Sequence, residues 1–439
     1  MSSHTSTPLF RSFSSALSWN ALAYLFHKSA TTMRTFLLYY ALSAHHFSMW
    51  ATTTSAIFLL LLWLDLGLRK SIPRFAPLFS AQRTTLITTI LIIHLSILLC
   101  ALPFLIWFLQ SHPPTILLLA TIIYLAQGTQ SIIRLAYHAY FLNKPFNIIA
   151  TSSSVLELAA LVSALILLPT HLLLMTTLTI TAISSVGVCV IAYRAFFYPS
   201  FRLRLSATPD TAINFAGDPE FSSTETPTST TYRQFFTHSL IMWITTIIKS
   251  FSERNFLLLL ITSSSGVAVA NIFKLANDGA LFFYRIIIKT IGVADTALLA
   301  HIETGHESRG EKNSMMISAV KEVVAKTARL ILPLLGILVV ICFVPNRLYT
   351  PDVFHAFLLM TIGYILETIL IPYERLLEVR RRYLFLFLSY LPYIGVMILL
   401  MFTLRISSIG LLPLLLCIHI VRLVSYLLIR VCTYYIYRI

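Results

Sequence analysis

The composition of this 439-residue chain is that of a membrane protein. Hydrophobic residues make up 57% of it and charged residues only 11%, whereas soluble domains average about 25% charged residues. This deficit excludes an ordinary water-soluble enzyme. The net charge of +15 would suggest nucleic-acid binding in a soluble domain. Basic loops also orient membrane helices, however, so no nucleic-acid partner is expected.

Apolar runs between proline, polar and charged breaks predict about twelve transmembrane helices, since a spanning helix needs roughly 20 mostly apolar residues. The predicted spans are 14–42, 49–68, 85–110, 114–136, 146–168, 172–197, 235–262, 266–290, 328–345, 353–373, 383–404 and 408–430. In lipid, a helix satisfies all of its own backbone polar groups. The predicted fold class is therefore an all-α membrane protein.

Basic residues are distributed unevenly among the connections between these spans. If the N-terminus is cytoplasmic, the cytoplasmic connections hold most of them, including the run 380–382 (RRR). The opposite connections hold Arg347 and Arg405. Because basic loops stay on the cytoplasmic side, this asymmetry predicts that both termini are cytoplasmic (N-in/C-in). The N-terminus lacks the features of a cleaved signal peptide, so the first span is expected to be retained.

The segment 199–234 differs in composition from the rest of the chain. It is rich in Ser, Thr and Pro and has too little apolar content to fold alone, so it is predicted to be a cytoplasmic linker. It separates a six-helix half, 1–198, from a second half, 235–439. Residues 34–38 (RTFLL) match residues 254–258 (RNFLL), which favours duplication of a six-helix unit. Secondary transporters are commonly built this way, with the substrate site between the repeats.

Ionisable residues inside the spans form the candidate site, because charges in a bilayer are costly and usually face a bundle interior. Lys274, Asp278 and Arg285 are spaced by 4 and 7 residues, which places them on one helix face. The surplus of cations predicts that the ligand is an anion, and planar Arg side chains suit phosphate oxygens. The predicted substrate-binding residues are Arg34, Arg254, Lys28, Lys249, Lys274 and Arg285. The candidates for proton uptake are Asp278 and Glu253.

A structural alternative stays open for some of these charges. Lys249 with Glu253, and Lys274 with Asp278, lie at i and i+4 and can each form an ion pair that neutralises a buried charge. No metal site and no catalytic residue is predicted. The five cysteines lie in or beside apolar runs, and the sequence has no nucleophile–base pair, phosphate-binding glycine loop or zinc spacing. A transporter is therefore expected, not an enzyme.

Short motifs beside the spans resemble those of bacterial polysaccharide biosynthesis flippases. Residues 64–75 (LDLGLRKSIPRF) resemble that family's D-x-G-x-x-x-x-x-x-R-F exit from the second span. Residues 253–256 (ERNF) resemble the acidic-basic start of its second lobe, and residues 378–380 (EVR) resemble its polar turn. The chain departs from the family at residues 43–48 (SAHHFS), where a Gly-Pro-acidic turn is usual.

The resemblance implies two pseudo-repeated six-helix lobes of the multidrug/oligosaccharidyl-lipid/polysaccharide exporter superfamily, with a V-shaped central cavity. It implies an alternating-access flippase that moves a polyprenyl-pyrophosphate-linked oligosaccharide from the cytoplasmic to the outer leaflet of the bacterial inner membrane, for cell-surface polysaccharide synthesis. No cofactor is expected, and an H+ or Na+ gradient would drive transport. The expected partners are the lipid-linked oligosaccharide, membrane lipids and glycan polymerase machinery. The alternatives are a cation-coupled multidrug exporter of the same fold and a membrane-embedded glycan polymerase or acyltransferase.

Overall fold

The structure is a computed structural model. The residues it describes are 8–75, 83–139, 143–198, 229–251, 253–282, 284, 309–342, 351–380, 382–406 and 410–437. The predicted linker lies outside the described residues as far as residue 228, and so does the candidate site residue Arg285.

Within these ranges every regular element is an α-helix. The helices are α1 (Pro8–Ala41), α2 (Ala44–Trp63), α3 (Leu68–Phe75), α4 (Arg83–Cys100), α5 (Leu102–Phe108), α6 (Pro114–Ala139), α7 (Asn143–Leu167), α8 (Thr170–Phe197), α9 (Ser229–Ser250), α10 (Arg254–Ser265), α11 (267–282), α12 (Arg309–Cys342), α13 (Pro351–Val379), α14 (Tyr383–Ile406) and α15 (Leu411–Tyr437).

Every predicted span overlaps a described helix or helix pair, and the spans 266–290 and 328–345 run past the described residues. The all-α membrane fold class is thereby confirmed. Among the described helices, seven are long and apolar enough to cross a membrane alone, or eight if α4 and α5 count as one bent span. The other predicted spans lie on α1, on α9 with α10, on α11 and on α12, which are more charged or shorter. The chain is thus a multi-pass membrane protein.

The third predicted span, 85–110, is bent instead of straight. Helices α4 and α5 meet at an angle of 41°. Pro103 lies at the start of α5. Because proline has no N–H and its ring clashes with the preceding turn, it interrupts the hydrogen-bond ladder at this point.

The seventh predicted span, 235–262, is also not one helix. Helix α9 ends at Ser250, and α10 begins at Arg254. The Tyr393 hydroxyl donates a hydrogen bond to the carbonyl of Phe251 in this break, at 3.1 Å. A backbone group released from the helix therefore keeps a partner, which makes a break tolerable at membrane depth.

Contacts group the chain into two compact units. The first unit comprises Met1–His27 and Ala56–Ile247, and the second comprises Lys28–Ser55 and Ile248–Ile439. Each unit contains most of one predicted half together with a segment from outside that half. The division into six-helix lobes at 1–198 and 235–439 stays a prediction.

The core of the first unit joins helices that are distant in sequence. Its largest buried cluster contains side chains from α3, α4, α6, α7, α8 and the start of α9. Tyr137 and Phe196 stack edge to face at its centre, and the Tyr137 hydroxyl donates to the Ala192 carbonyl at 3.0 Å. Buried aromatic area and a satisfied hydroxyl together stabilise this packing.

The turn after α2 carries the first motif of the flippase resemblance. Asp65 forms an ion pair with Arg69 at 3.2 Å, as the i, i+4 spacing of the two residues allows. Gly67 has a positive φ of 70°, a conformation that favours glycine. A Cβ on Gly67 would collide with the backbone oxygen of Ser239 and lie 2.8 Å from the Trp243 nitrogen. Glycine is therefore required here both by the turn and by the close approach of α9.

The second unit buries its apolar residues where α13, α14 and α15 pack together. Its clusters include Leu377, Leu386 and Ile429, each almost fully buried. Met316 and Val320 of α12 pack on Leu376 of α13 in a separate cluster. Helices α13 and α15 also carry the buried pair of Glu367 and Arg422 described below.

We expect Gly67→Ala to lower the thermal unfolding midpoint of the protein in detergent, because the new methyl group strains the turn and collides with α9. The loss should correspond to about 1–3 kcal/mol, as for overpacked sites. Gly187→Ala in α8 is the matched control, since a Cβ there meets nothing within 4 Å. A Gly67→Ala midpoint equal to that of Gly187→Ala would contradict the described packing of α9 on this turn.

Candidate functional site

Asp278 of α11 is the centre of a buried ionic cluster in the second unit. Its side chain is only 3% exposed, and it forms ion pairs with Arg254 of α10 and with Lys274 one turn earlier on α11, the latter at 3.1 Å. Thr35 of α1 donates a hydrogen bond to the Asp278 carboxylate at 2.9 Å. Three separate stretches of the chain therefore converge on one carboxylate.

Trp50 of α2 contacts two cations of this cluster through its indole ring. The Lys274 ammonium lies 5.3 Å from the centroid of the indole ring, and the Arg34 guanidinium lies 5.9 Å from it. Trp50 is 2% exposed. Cations at these distances are attracted to the negative face of the ring, and more strongly when they are desolvated. We call the set Arg34, Thr35, Trp50, Arg254, Lys274 and Asp278 the Asp278 cluster.

The cluster is positioned by polar and close contacts between helices. Asn271, one turn before Lys274, donates from its amide to the Ala44 carbonyl at the start of α2, at 2.9 Å. Phe47 and Trp50 pack against each other one turn apart on α2. Hydrogen bonds of this kind hold helices together in lipid, where apolar burial alone does not.

The described residues of the cluster carry more positive than negative charge. Arg254 and Lys274 share the single carboxylate of Asp278, and Arg34 adds a third cation beside Trp50. A buried cation is costly without compensating charge. An arrangement with more cations than carboxylates has the chemistry that suits an anion.

The structure brings together four of the predicted site residues: Arg34, Arg254, Lys274 and Asp278. The intrahelical pair of Lys274 with Asp278 does form, as part of this larger cluster. Lys28 lies on α1, before Arg34 and Thr35. Arg285 lies outside the described residues. The functional roles of all these residues stay predictions.

Lys249 and Glu253 lie apart from the Asp278 cluster. Lys249 forms ion pairs with Glu374 and Glu378 of α13, the latter at 3.7 Å. The intrahelical pair with Glu253 is therefore not the arrangement that neutralises Lys249. Glu253 is exposed at the N-cap of α10. Both residues line a cavity in the second unit. Its other lining residues are Tyr284, Tyr390, Tyr393, Arg422, Ser425 and Tyr426.

A second buried network in the same unit was not predicted from the sequence. Glu367 of α13 is fully buried and forms an ion pair with Arg422 of α15 at 2.7 Å. The Nδ1 atom of His419, also on α15, lies 3.4 Å from its carboxylate. His419 fits because Gly363 has no side chain, since a Cβ there would collide with the imidazole. Glu367 and Arg422 lie on separate spans, so no spacing within one helix could have predicted that they pair.

The two networks are linked through a neutral hydrogen bond. The Tyr364 hydroxyl donates to the side-chain oxygen of Asn277 at 2.6 Å, and Asn277 directly precedes Asp278. The Arg422 guanidinium lies 5.5 Å from the centroid of the Tyr364 ring. A change in either ionic network can therefore reach the other through α11.

No family model matches the sequence, and no curated protein matches it. Solved structures do match over nearly the whole chain. The eukaryotic MATE transporter AtDTX14 is 14% identical with a TM-score of 0.61, over 96% of this chain and 95% of that one. The outward-facing conformation of a multidrug resistance MATE family transporter of the MOP superfamily is 13% identical with a TM-score of 0.60, over the same shares.

A MOP superfamily transporter from Pyrococcus furiosus is 13% identical to this chain. Its binding pocket is of reverse polarity. Its TM-score is 0.50, over 96% of this chain and 95% of that one. At these identities the likenesses establish the fold. The chain has the fold of the MATE transporters of the MOP superfamily.

Proposed function

We propose that the protein is a secondary transporter that works by alternating access and that its substrate carries a negative charge. The observation that carries this proposal is the sharing of one buried carboxylate, Asp278, by two buried cations, Arg254 and Lys274. A second negative group supplied by the substrate would balance the charge of the site.

Arg254 has hydrogen-bonding capacity left for such a group. Its Nε atom is buried and has no acceptor among the described residues. Arginine offers five donors in a planar fork that matches carboxylate or phosphate oxygens. The guanidinium can therefore hold Asp278 through one edge and a substrate oxygen through another.

Asp278 is the residue that would couple transport to an ion gradient. Protonation of its carboxylate would weaken its hold on Arg254 and Lys274 and release both cations to the substrate. Loss of the proton would restore the ion pairs and expel the anion. Glu253, exposed beside the break between α9 and α10, is the second candidate for proton uptake. Either an H+ or a Na+ gradient is compatible with this scheme.

A cation-coupled multidrug exporter is the second candidate function. Of the two transporters considered from the sequence, the solved neighbours support this one better than the lipid-linked oligosaccharide flippase, since they include a multidrug resistance MATE family transporter and the eukaryotic MATE transporter AtDTX14. The cation surplus of the Asp278 cluster favours an anionic cargo within that fold. The Pyrococcus furiosus protein, in which a binding pocket of reverse polarity suggests a different function, offers a parallel.

The flippase remains the more specific form of the anionic proposal. In that form the cargo is a polyprenyl-pyrophosphate-linked oligosaccharide, the protein lies in a bacterial inner membrane with both termini inside, and glycan polymerase machinery uses the product. The resemblance of residues 64–75 and 253–256 to the polysaccharide flippases is the support for it.

Asp278→Asn should destabilise the protein more than Arg254→Gln. The first change leaves two buried cations without a carboxylate, which is expected to cost about 3–5 kcal/mol. The second leaves Asp278 paired with Lys274 and Thr35, so a loss of about 1 kcal/mol or less is expected. Thermal unfolding in detergent measures both, with Lys321→Gln at an exposed position of α12 as the control. The reverse order would contradict the charge surplus.

Transport in proteoliposomes separates the candidate functions. The probes are a fluorescent polyprenyl pyrophosphate, the soluble anion calcein and the cation ethidium. We expect movement of an anionic probe, slowed about tenfold or more by Arg254→Gln or Lys274→Gln, because each change removes a charge-assisted hydrogen bond. Lys321→Gln should transport like the wild type.

Each probe answers a different question. Movement of polyprenyl pyrophosphate but not calcein would support the flippase form. Movement of ethidium alone, unaffected by Arg254→Gln, would overturn the anionic proposal in favour of the cationic-drug exporter.

A further inference from the structure

Trp50 has a buried polar atom that no other group of the cluster pairs. It is 2% exposed, and its indole Nε1 is buried without a hydrogen-bond acceptor among the described residues. Buried tryptophans usually pair this N–H. Trp243, for example, donates its own to the Trp63 carbonyl. The N–H of Trp50 is therefore an unused donor at the centre of a charged cluster.

The side chains over the Trp50 ring do not supply the missing acceptor, because Arg34 and Lys274 carry only donors. The Asp278 carboxylate receives Arg254, Lys274 and Thr35, and the Trp50 N–H is not among its donors. The Nε of Arg254 is likewise a buried donor without an acceptor. Trp50 and Arg254 thus each have a buried N–H to offer to a ligand.

We propose that Trp50 is a specificity-determining residue that selects an oxyanion: its indole N–H donates to one oxygen while Arg254 and Lys274 hold others. The proposal rests on the proposed function and deepens it by naming the chemical class of the charged group. A phosphate or pyrophosphate presents several acceptor oxygens in different directions, as this arrangement of donors requires. A halide ion has the charge but does not present separate oxygens to separate donors.

The ring of Trp50 has a second role in this proposal. By attracting Arg34 and Lys274 to its face, it holds the two cations beside the N–H without neutralising them. A carboxylate in the same place would pair with these cations and compete with the substrate. A neutral aromatic ring attracts them without adding a negative charge to the site.

Two substitutions separate the N–H from the ring. Trp50→Phe keeps an aromatic face and loses the donor, whereas Trp50→Leu loses both. Trp107→Phe is the matched control, because Trp107 is 61% exposed and lies on α5 outside the cluster. Thermal unfolding of each variant in detergent verifies that it is folded.

The experiment measures the dissociation constants of three probes for the full chain in nanodiscs: inorganic pyrophosphate, polyprenyl pyrophosphate and bromide. We expect Trp50→Phe to weaken pyrophosphate binding about tenfold, as loss of a hydrogen bond to a charged group would, and to leave bromide binding unchanged. Trp50→Leu should weaken all probes that bind. Whichever pyrophosphate binds the wild type more tightly identifies a free or a lipid-linked oxyanion as the source.

The failures of the two proposals are distinguishable. If the wild type binds pyrophosphate, Arg254→Gln abolishes that binding and Trp50→Phe leaves it unchanged, the proposed function stands and the role of Trp50 is wrong. An equal loss of bromide and pyrophosphate binding in Trp50→Phe would also overturn the selection of an oxyanion. Wild-type protein that binds no anion at all would overturn both proposals.

Discussion

The arrangement of the second unit depends on one carboxylate that serves two buried cations. Asp278 draws Arg254, Lys274 and Thr35 together from three helices, and the charge that it cannot neutralise gives the site its chemistry. In a low-dielectric interior, such a balance is worth several kcal/mol in either direction. A bound anion would lower the energy of this unit, whereas a bound cation would raise it. The proposed negative charge of the substrate rests on that balance.

The same unit shows how a charged interior is kept ordered in a lipid-embedded protein. Glu367 is paired with Arg422, and Lys249 with Glu374 and Glu378, so each of these charges has a counter-charge within the fold. The Asp278 cluster differs, because its donors outnumber its acceptors. The hydrogen bond from Tyr364 to Asn277 joins the balanced and unbalanced networks along α11. Binding at one can thereby change the packing of α13 and α15 around the other.

Much of the fold could be predicted because lipid imposes simple rules on sequence. The apolar runs marked the helices, and the spacing of Lys274 and Asp278 gave a pair that the structure confirms. The breaks after Ser250 and Cys100 were missed, since hydropathy does not register where a helix is interrupted when the apolar run continues. Trp50 and Thr35 carry no charge, so no argument from buried ions could find them. Arg422 and Glu367 meet only through the packing of α15 on α13.

The most direct test of the account is the position of a bound oxyanion. Crystals of the protein soaked in selenate, which combines tetrahedral oxygens with an anomalous scatterer, would locate it by selenium anomalous diffraction. The account predicts a peak whose oxygens lie within hydrogen-bond distance of Arg254 and Lys274, with one oxygen on the Trp50 indole N–H. Selenate bound elsewhere, with the Asp278 cluster empty, would contradict it.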